Sequence, residues 1–233
     1  MLEALKRKVY EANMLLVEYG LAPFTWGNAS GIDRESGLVV IKPSGVSYSE
    51  LNSEKMVVVD MDGRVVEGSL RPSSDTATHI ELYKAFEEIG AVVHTHSRYA
   101  TVFAQAGRGV PAYGTTHADF APCEIPCTRA LTEAEIKGEY EKNTGLVIAE
   151  CFSQRGLRAD ECQAVLVKSH GPFTWGDTPK KAAENAAVLE IISEMALNTE
   201  LLASAGKIAE VDSFLLQKHY QRKHGKNAYY GQK

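Results

Sequence analysis

Cysteine is scarce in this chain of 233 residues, and so are several other features that would place the protein in a specialised class. Four cysteines, Cys123, Cys127, Cys151 and Cys162, are too few for a disulfide framework, so we expect reduced thiols. A net charge of −5 argues against a nucleic-acid partner. No apolar run approaches the roughly 18–20 residues that span a bilayer, and the first segment lacks a signal-peptide core. These absences predict a cytoplasmic protein without a membrane partner.

The composition is that of an ordinary globular protein, and we expect one domain over residues 1–233. Apolar residues at helical spacing predict helices over 2–19, 75–88, 98–107, 132–143, 179–204 and 212–224. Short β-branched runs predict strands at 37–42, 56–61, 64–68, 91–96, 146–150 and 164–170, with a hairpin turn at Asp62-Gly63. Because helices and strands are interspersed, the fold class is α/β or α+β.

One pentapeptide occurs twice. Pro-Phe-Thr-Trp-Gly fills positions 23–27 and again positions 172–176. Two copies do not make a repeat protein. We interpret them as two similar turns, each anchored by its aromatic side chains, because aromatic residues at turns usually serve packing.

Three histidines end two of the predicted strands. His94 and His96 close the run 91–96, and alternation along a strand turns residues two apart toward the same face. His170 ends the run 164–170 beside a turn. Three imidazoles with one open position suit catalytic zinc, although a His-x-His pair alone is more often structural or exposed. Asp75 could add a carboxylate or simply cap the helix that follows it, and the spacing leaves both roles open.

Other polar residues allow both a chemical and an ordinary role. Cys123 and Cys127 lack a second pair at zinc-finger spacing, so we expect buried thiols. The remaining histidines, taken singly, are expected to pack, to lie at the surface or to form hydrogen bonds: His79, His117, His219 and His224. The loops 42–45 and 72–75 offer hydroxyls and backbone N–H groups that suit a phosphate, or plain turns and caps. The stretch 115–119 suits either a reactive loop or a solvated connection. The aromatic tail, residues 219–231, is expected either to dock, for example on another subunit, or to be disordered.

Seven segments run in order along nearly the whole chain: FTWGNAS, IKPSGV, RPSSDTATH, VHTHSRYA, GTTHAD, KSHGPFTWG and KHYQRKHGKNAYYGQ. In sequence and spacing they resemble the L-ribulose-5-phosphate 4-epimerases of the class II aldolase family. The resemblance implies a class II aldolase-like fold with a central, mainly antiparallel sheet flanked by helices on both faces. It also implies one Zn²⁺ per subunit, a small sugar phosphate as substrate, and a homotetramer with active sites at subunit interfaces.

The resemblance assigns roles to individual residues. Zinc ligands would be Asp75, His94, His96 and His170. The phosphate pocket would consist of Gly27, Asn28, Ser44, Gly45, Ser73 and Ser74, with Lys42 near the substrate. Asp119 and Tyr230 would be the acid–base residues, supported by Thr115, Glu141 and His219, and these five would reach the zinc from a neighbouring subunit of a fourfold-symmetric tetramer.

The implied reaction converts L-ribulose 5-phosphate into D-xylulose 5-phosphate. The C4 proton is not adjacent to the ketone, so simple deprotonation is unfavourable, whereas cleavage of the C3–C4 bond leaves its electrons next to the C2 carbonyl. Zinc would stabilise that charge as a Lewis acid. Re-addition to the opposite aldehyde face would complete the epimerisation, with Asp119 and Tyr230 exchanging the C4 hydroxyl proton on opposite faces.

Two alternatives stay open. A class II aldolase acting on L-fuculose or L-rhamnulose 1-phosphate would share metal and fold, but those aldolases carry Glu where this chain has Asp75. A non-catalytic aldolase-like binding domain would be expected to lack the histidines. The residues do not separate arabinose catabolism from ascorbate-type catabolism, and a His₃-carboxylate site also accepts manganese or cobalt.

Overall fold

The sheet has seven strands in the computed structural model, which describes residues 2–203 and 208–230. The strands are β1 Asn28–Asp33, β2 Leu38–Ile41, β3 Val57–Val59, β4 Val65–Glu67, β5 Ala91–His94, β6 Ala164–Val167 and β7 Gly171–Gly176. Their order is β4-β3-β2-β1-β5-β7-β6, and each neighbouring pair is antiparallel. The predicted antiparallel sheet and the Asp62-Gly63 hairpin between β3 and β4 are therefore confirmed.

Eight α-helices surround this sheet within the described part of the chain. They are α1 Glu3–Glu18, α2 Thr76–Ala85, α3 Arg98–Ala106, α4 Thr115–Ala118, α5 Glu133–Lys137, α6 Tyr140–Arg155, α7 Pro179–Leu202 and α8 Ser213–His224. None of these helices is long and apolar enough to cross a membrane. Position 204 of the predicted helix, and residues 231 and 232 of the tail motif, lie outside the described residues.

Both faces of the sheet are buried, and the strands alternate between two cores. Val57 and Val59 pack in one core with residues of α2 and α6, whereas Val58 between them packs in the other with residues of α1. This is the period of two expected for a strand covered on both sides. The α/β class with helices on both faces is confirmed.

The predicted strand at 146–150 is wrong, because these residues lie inside α6. The buried side of that helix includes Val147, Ile148, Cys151 and Phe152, which recur at helical spacing. Gly145 explains the close packing against α2, since a Cβ there would lie 2.9 Å from the Thr78 carbonyl oxygen. The predicted helix 132–143 is also divided, with α5 ending at Lys137 and α6 beginning at Tyr140.

The interpretation of the pentapeptide as two similar turns is wrong for its second copy. Residues 23–27 do form a turn, in which Phe24 has φ +59° and the two aromatic side chains are 78% and 53% exposed. Residues 172–176 lie in β7, where Phe173 and Trp175 are fully buried. Strand β7 is hydrogen-bonded to β5 and β6 on its two sides. The same five residues therefore form a buried strand where the sheet pairs with them on both sides, and an exposed turn where it does not.

This contrast predicts very different costs for the same substitution. Trp175→Ala should lower the free energy of unfolding by about 3–5 kcal/mol, because it removes a buried indole whose Nε1 donates to the Ala159 carbonyl at 2.8 Å. Trp26→Ala, the matched control at the same motif position, should change it by no more than about 0.5 kcal/mol. Urea unfolding followed by circular dichroism measures both. Similar losses in the two variants would contradict the assignment of Trp175 to the core.

Candidate active site

The three predicted histidines converge at one end of the sheet. His94 is the last residue of β5, opposite Asn28 of β1 on one side and Phe173 of β7 on the other. His170 lies in the turn between β6 and β7, next to Ser169 with φ +63°. One ligand atom from each of the three imidazoles lies within 4.8 Å of the other two, so His94, His96 and His170 form a group able to hold a metal ion.

His94 is oriented by its surroundings. Its Nδ1 lies 3.0 Å from the Pro172 carbonyl oxygen, and its ring stacks on Phe173 with centroids 4.2 Å apart. A carbonyl only accepts hydrogen bonds, so Nδ1 carries the proton and Nε2 keeps its lone pair for a ligand. The two Nε2 atoms of His94 and His96 are 3.1 Å apart. Tetrahedral coordination with metal–nitrogen bonds of about 2.0–2.1 Å separates its nitrogens by about 3.3 Å, which this pair fits.

The charge state of the imidazoles also fits a cation. Burial, reinforced by His94 and His96, lowers the pKa of His170 to about 3. Burial and the neighbouring His94 also lower the pKa of His96. Metal ligation requires neutral imidazole. Near neutral pH the pocket therefore presents lone pairs for a divalent cation.

Asp75 lies in the same pocket, and its side chain does not cap α2. Its Oδ2 accepts a hydrogen bond from Asn28 Nδ2 at 2.6 Å. Burial acts to raise the pKa of Asp75, but His94, His79 and the Asn28 hydrogen bond outweigh it and leave the pKa below its usual range. The closely spaced ligand group nevertheless consists of the three histidines without Asp75. The structure thus places Asp75 as a carboxylate beside the group, held by Asn28.

The predicted phosphate loops face the histidines across one cavity of about 570 Å³. The Ser44 N–H donates to the Arg71 carbonyl at 2.9 Å, and the Ser73 N–H donates to the Lys42 carbonyl at 3.0 Å. These two bonds hold the loops side by side. The cavity is lined by Thr25, Trp26, Gly27, Asn28, Lys42, Pro43, Ser44, Gly45, Ser73, Ser74, Asp75, His94, His96, Tyr140, Glu141 and His170.

Lys42 contributes a positively charged side chain to this cavity, and that side chain is almost completely buried. Its Nζ donates to the carbonyls of Val46 at 3.0 Å and Pro43 at 3.3 Å, and it lies 4.9 Å from the centre of the Tyr48 ring. Burial lowers the pKa of Lys42. Its Nζ also lies 3.5 Å from the Thr25 carbonyl oxygen, so the ammonium group stabilises the loop and adds positive charge to the cavity.

Comparison with known proteins decides the family. Residues 7–197 match the model of the class II aldolase and adducin N-terminal domain. The chain belongs to this family. A protein of Salmonella paratyphi C (strain RKS4594), L-ribulose-5-phosphate 4-epimerase UlaF, is 53% identical to the chain over 232 residues, 100% of both proteins. The resemblance read from the sequence motifs is confirmed.

Solved structures show the class II aldolase fold independently. An L-fuculose 1-phosphate aldolase gives a TM-score of 0.77 at 24% identity, covering 94% of this chain and 95% of that one. The L-fuculose 1-phosphate aldolase from Glaciozyma antarctica PI12 gives 0.74 at 19% identity, with coverage of 94% and 81%. At these identities the likeness establishes the fold alone.

Four residues that line this class II aldolase pocket were not predicted as site residues: Thr25, Trp26, Pro43 and Tyr140. Tyr140, the first residue of α6, has its hydroxyl 3.4 Å from His170 Nδ1. His79 lies behind Asp75 and is fully buried; its Nδ1 is 2.7 Å from Ser30 Oγ, which is 2.7 Å from the Tyr83 hydroxyl. The hydrogen-bonding role expected for His79 is therefore confirmed. Its Nε2 has no partner among the described residues.

Four of the residues assigned to a neighbouring subunit do lie outside the histidine cavity. Thr115 and Asp119 line a separate cavity of about 190 Å³ against α7 and α8, and His219 Nδ1 is 3.0 Å from Asp119 Oδ1. Tyr230 is 58% exposed. Glu141, in contrast, lines the histidine cavity of its own chain, and its role toward a neighbouring subunit stays a prediction. The start of α6 is held there by the Thr78 hydroxyl, which donates to the Glu141 carbonyl at 2.5 Å.

The rival cysteine site finds no support in the part of the chain that the structure describes. Cys127 is buried as predicted, whereas Cys123 is only half-buried. Burial raises the pKa of the Cys127 thiol to about 11, which disfavours the thiolate that a metal requires. The three histidines remain the metal-capable group of the described residues.

Buried His79 predicts a specific acid sensitivity of the fold. Burial lowers its pKa to about 3 from the ordinary 6.5, so below about pH 6.5 the unfolded chain binds a proton that the folded chain does not. Stability should fall as pH drops through this window, with about 2 kcal/mol from His79 between pH 7 and pH 5. His79→Gln keeps a hydrogen-bonding side chain but cannot titrate.

The measurement is urea unfolding of wild type and His79→Gln at both pH values in the presence of a chelator, so that metal binding does not differ. The loss of stability between pH 7 and pH 5 should be about 2 kcal/mol smaller in the variant. An equal loss in the two proteins would show that His79 does not carry this pH dependence.

Proposed function

We propose that this chain is a zinc-dependent L-ribulose-5-phosphate 4-epimerase, which converts L-ribulose 5-phosphate into D-xylulose 5-phosphate by cleaving and re-forming the C3–C4 bond. The observation that carries the proposal is the single cavity in which a three-histidine group faces two hydroxyl-bearing loops. The full-length relative with 53% identity bears the name of this activity, which supports the choice of substrate.

The loops give the substrate phosphate its anchor. Gly45 has φ +69°, and a Cβ there would meet nothing within 4 Å, so its backbone lines open space in the cavity. Ser73 and Ser74 precede the first turn of α2, where the helix dipole favours an anion. Asn28 and Gly27 complete the pocket, and Lys42 supplies positive charge beside it. An anchored phosphate keeps the cleaved aldehyde fragment in place while its face is exchanged.

His94, His96 and His170 would hold the cation, with the Asp75 carboxylate beside them. A divalent cation held there supplies Lewis-acid stabilisation of the negative charge that C–C cleavage leaves on the substrate. Asn28 fixes the Asp75 carboxylate through its 2.6 Å hydrogen bond, and Tyr140 contacts His170. These neighbours restrict the rotation of the ligand side chains, as supporting groups around metal sites do.

Proton transfer at the C4 hydroxyl is assigned to Asp119 and Tyr230. Neither lines the cavity of its own chain, and Tyr230 is more than half exposed. This placement supports a homotetramer in which α4 and the tail of one subunit complete the cavity of the next. Thr115 and His219 accompany Asp119 in that arrangement. Glu141, which also lines the cavity of its own chain, is assigned a supporting role at this site.

The test is to incubate zinc-loaded protein with L-ribulose 5-phosphate and to follow D-xylulose 5-phosphate together with free glycolaldehyde phosphate and dihydroxyacetone. A chelator-treated sample is the control. Epimer formed without released fragments, and only in the metal-loaded sample, is the expected result. Fragments as the main product would assign the chain to the aldolases instead. An absence of turnover in a metal-replete oligomer would overturn the proposed activity.

A further inference from the structure

The side chains of α8 converge on Asp119. Arg222 donates to both carboxylate oxygens, through Nη2 at 2.8 Å and Nε at 3.2 Å. His219 lies one turn earlier with Nδ1 3.0 Å from the same carboxylate. His224 Nε2 lies 2.9 Å from the Asp119 backbone carbonyl oxygen. Among these contacts, the fork of the guanidinium is the one that fixes the carboxylate plane, because two parallel hydrogen bonds leave little rotational freedom.

Arg222 also holds the segment that carries Tyr230. Its backbone carbonyl accepts hydrogen bonds from the N–H groups of Tyr229 at 3.0 Å and Tyr230 at 3.1 Å. Its guanidinium carbon lies 4.9 Å from the centre of the Tyr230 ring, within the range of a cation–π interaction. The same residue therefore contacts the two side chains to which the proposed function assigns proton transfer.

We propose that Arg222 is a positioning residue that sets Asp119 and Tyr230 in a fixed arrangement relative to each other, so that one guanidinium aligns both acid–base groups. The inference rests on the proposed function for the roles of those two residues. It explains why an arginine suits this position, since an ammonium cannot bind a carboxylate through a planar fork and lie over an aromatic ring in the same way.

The charge of Arg222 has a second effect on Asp119. Burial acts to raise the pKa of Asp119, but the hydrogen bonds from Arg222 and His219 outweigh it and hold the pKa below its usual range. The other charged or titratable groups on this side are His224 and Lys223 of α8 and Lys181 of α7. With Arg222 removed, the Asp119 carboxylate loses its strongest partner and its pKa rises. The acid limb of a pH–rate profile governed by Asp119 should then move to higher pH.

The experiment compares Arg222→Gln and Arg222→Lys with Lys226→Gln, which removes a cation from the exposed tail instead. Arg222→Gln should lower kcat about 100-fold, as expected for a misaligned reacting group, with KM changed less than about threefold because the phosphate loops are untouched. The acid limb of its pH–rate profile should move to higher pH. Arg222→Lys should restore the limb toward the wild-type position but recover only part of kcat. Lys226→Gln should behave as wild type.

Hydrogen–deuterium exchange separates this inference from the proposed function. In Arg222→Gln the amides of residues 114–121 and 225–230 should exchange faster than in wild type, whatever substrate the protein uses. A wild type that does not turn over L-ribulose 5-phosphate defeats the proposed function, and the exchange data still decide whether Arg222 orders the two segments. Unchanged exchange in both segments, or wild-type kcat with an unmoved acid limb, would overturn the role of Arg222.

Discussion

Replacing His170 with glutamine should leave the protein without bound metal and nearly without activity. His170 contributes one of three neutral imidazoles whose ligand atoms lie within 4.8 Å of one another. Changes to groups that merely support a ligand weaken metal affinity by roughly 10–100-fold, so the loss of a ligand should exceed that range. Turnover should fall at least about 100-fold at limiting zinc, in proportion to the stabilisation that the cation provides. Metal content after dialysis, measured by mass spectrometry, and the epimerase assay test both expectations.

His117→Gln is the matched control, because His117 is a buried histidine outside the metal-capable group of the described residues. Its Nε2 lies 2.8 Å from the Cys123 carbonyl oxygen. The control should retain the wild-type metal content. If His170→Gln also retained one ion per chain after dialysis, the ion would be held elsewhere and the three-histidine centre would be wrong.

Tyr230→Phe should also lose most of its turnover, but it should keep its full metal content. The phenol oxygen is the only group removed, and it lies on a tail residue that does not line the histidine cavity of its own chain. Loss of an acid–base group typically costs about 10²–10⁴ in rate. Asp119→Asn should have a similar effect. The measurements are kcat for L-ribulose 5-phosphate and the zinc content of each variant.

Tyr229→Phe provides a control one residue away. Tyr229 is 62% exposed, and its ring lies 5.5 Å from Lys218 Nζ. The variant removes the same oxygen from the same segment, so it should keep turnover within about twofold of wild type. Equal losses in the two tyrosine variants would point to a general disturbance of the tail. Full activity of Tyr230→Phe would remove Tyr230 from the reaction.

The sequence predicted the elements with strong periodicity, and it failed where tertiary packing outweighs local preference. Strand β1 was not predicted, because Asn, Gly and Asp within Asn28–Asp33 are poor strand formers. Its position is set by neighbours: a Cβ on Gly31 would lie 2.9 Å from Leu5 Cδ1 of α1. The run 146–150 shows the converse, since its β-branched residues favour a strand locally while packing on α2 makes them helical.

The site was predictable in its ligands and less so in its surroundings. The spacing of His94 and His96 on one strand indicated a metal site, and the place of His170 at the end of another strand indicated a third ligand. The association of Asp75 with them was not accessible from spacing alone, because it depends on the pairing of β1 with β5, which brings Asn28 opposite His94. Tyr140 and His79 have no distinguishing sequence signal. Tyr140 reaches the pocket because α6 packs on α2, whereas His79 is buried in α2 itself and does not line the pocket.

The pairing of the central strands has a consequence for protein engineering. Asn28, His94 and Phe173 lie opposite one another across β1, β5 and β7. A shift of β5 by one residue would exchange His94 for Val93 or Thr95 and turn the imidazole to the other face. Grafting the histidines onto another scaffold would therefore not transplant the centre unless all three strands and their alignment came with them. The transferable unit is a patch of hydrogen-bonded sheet rather than a set of side chains.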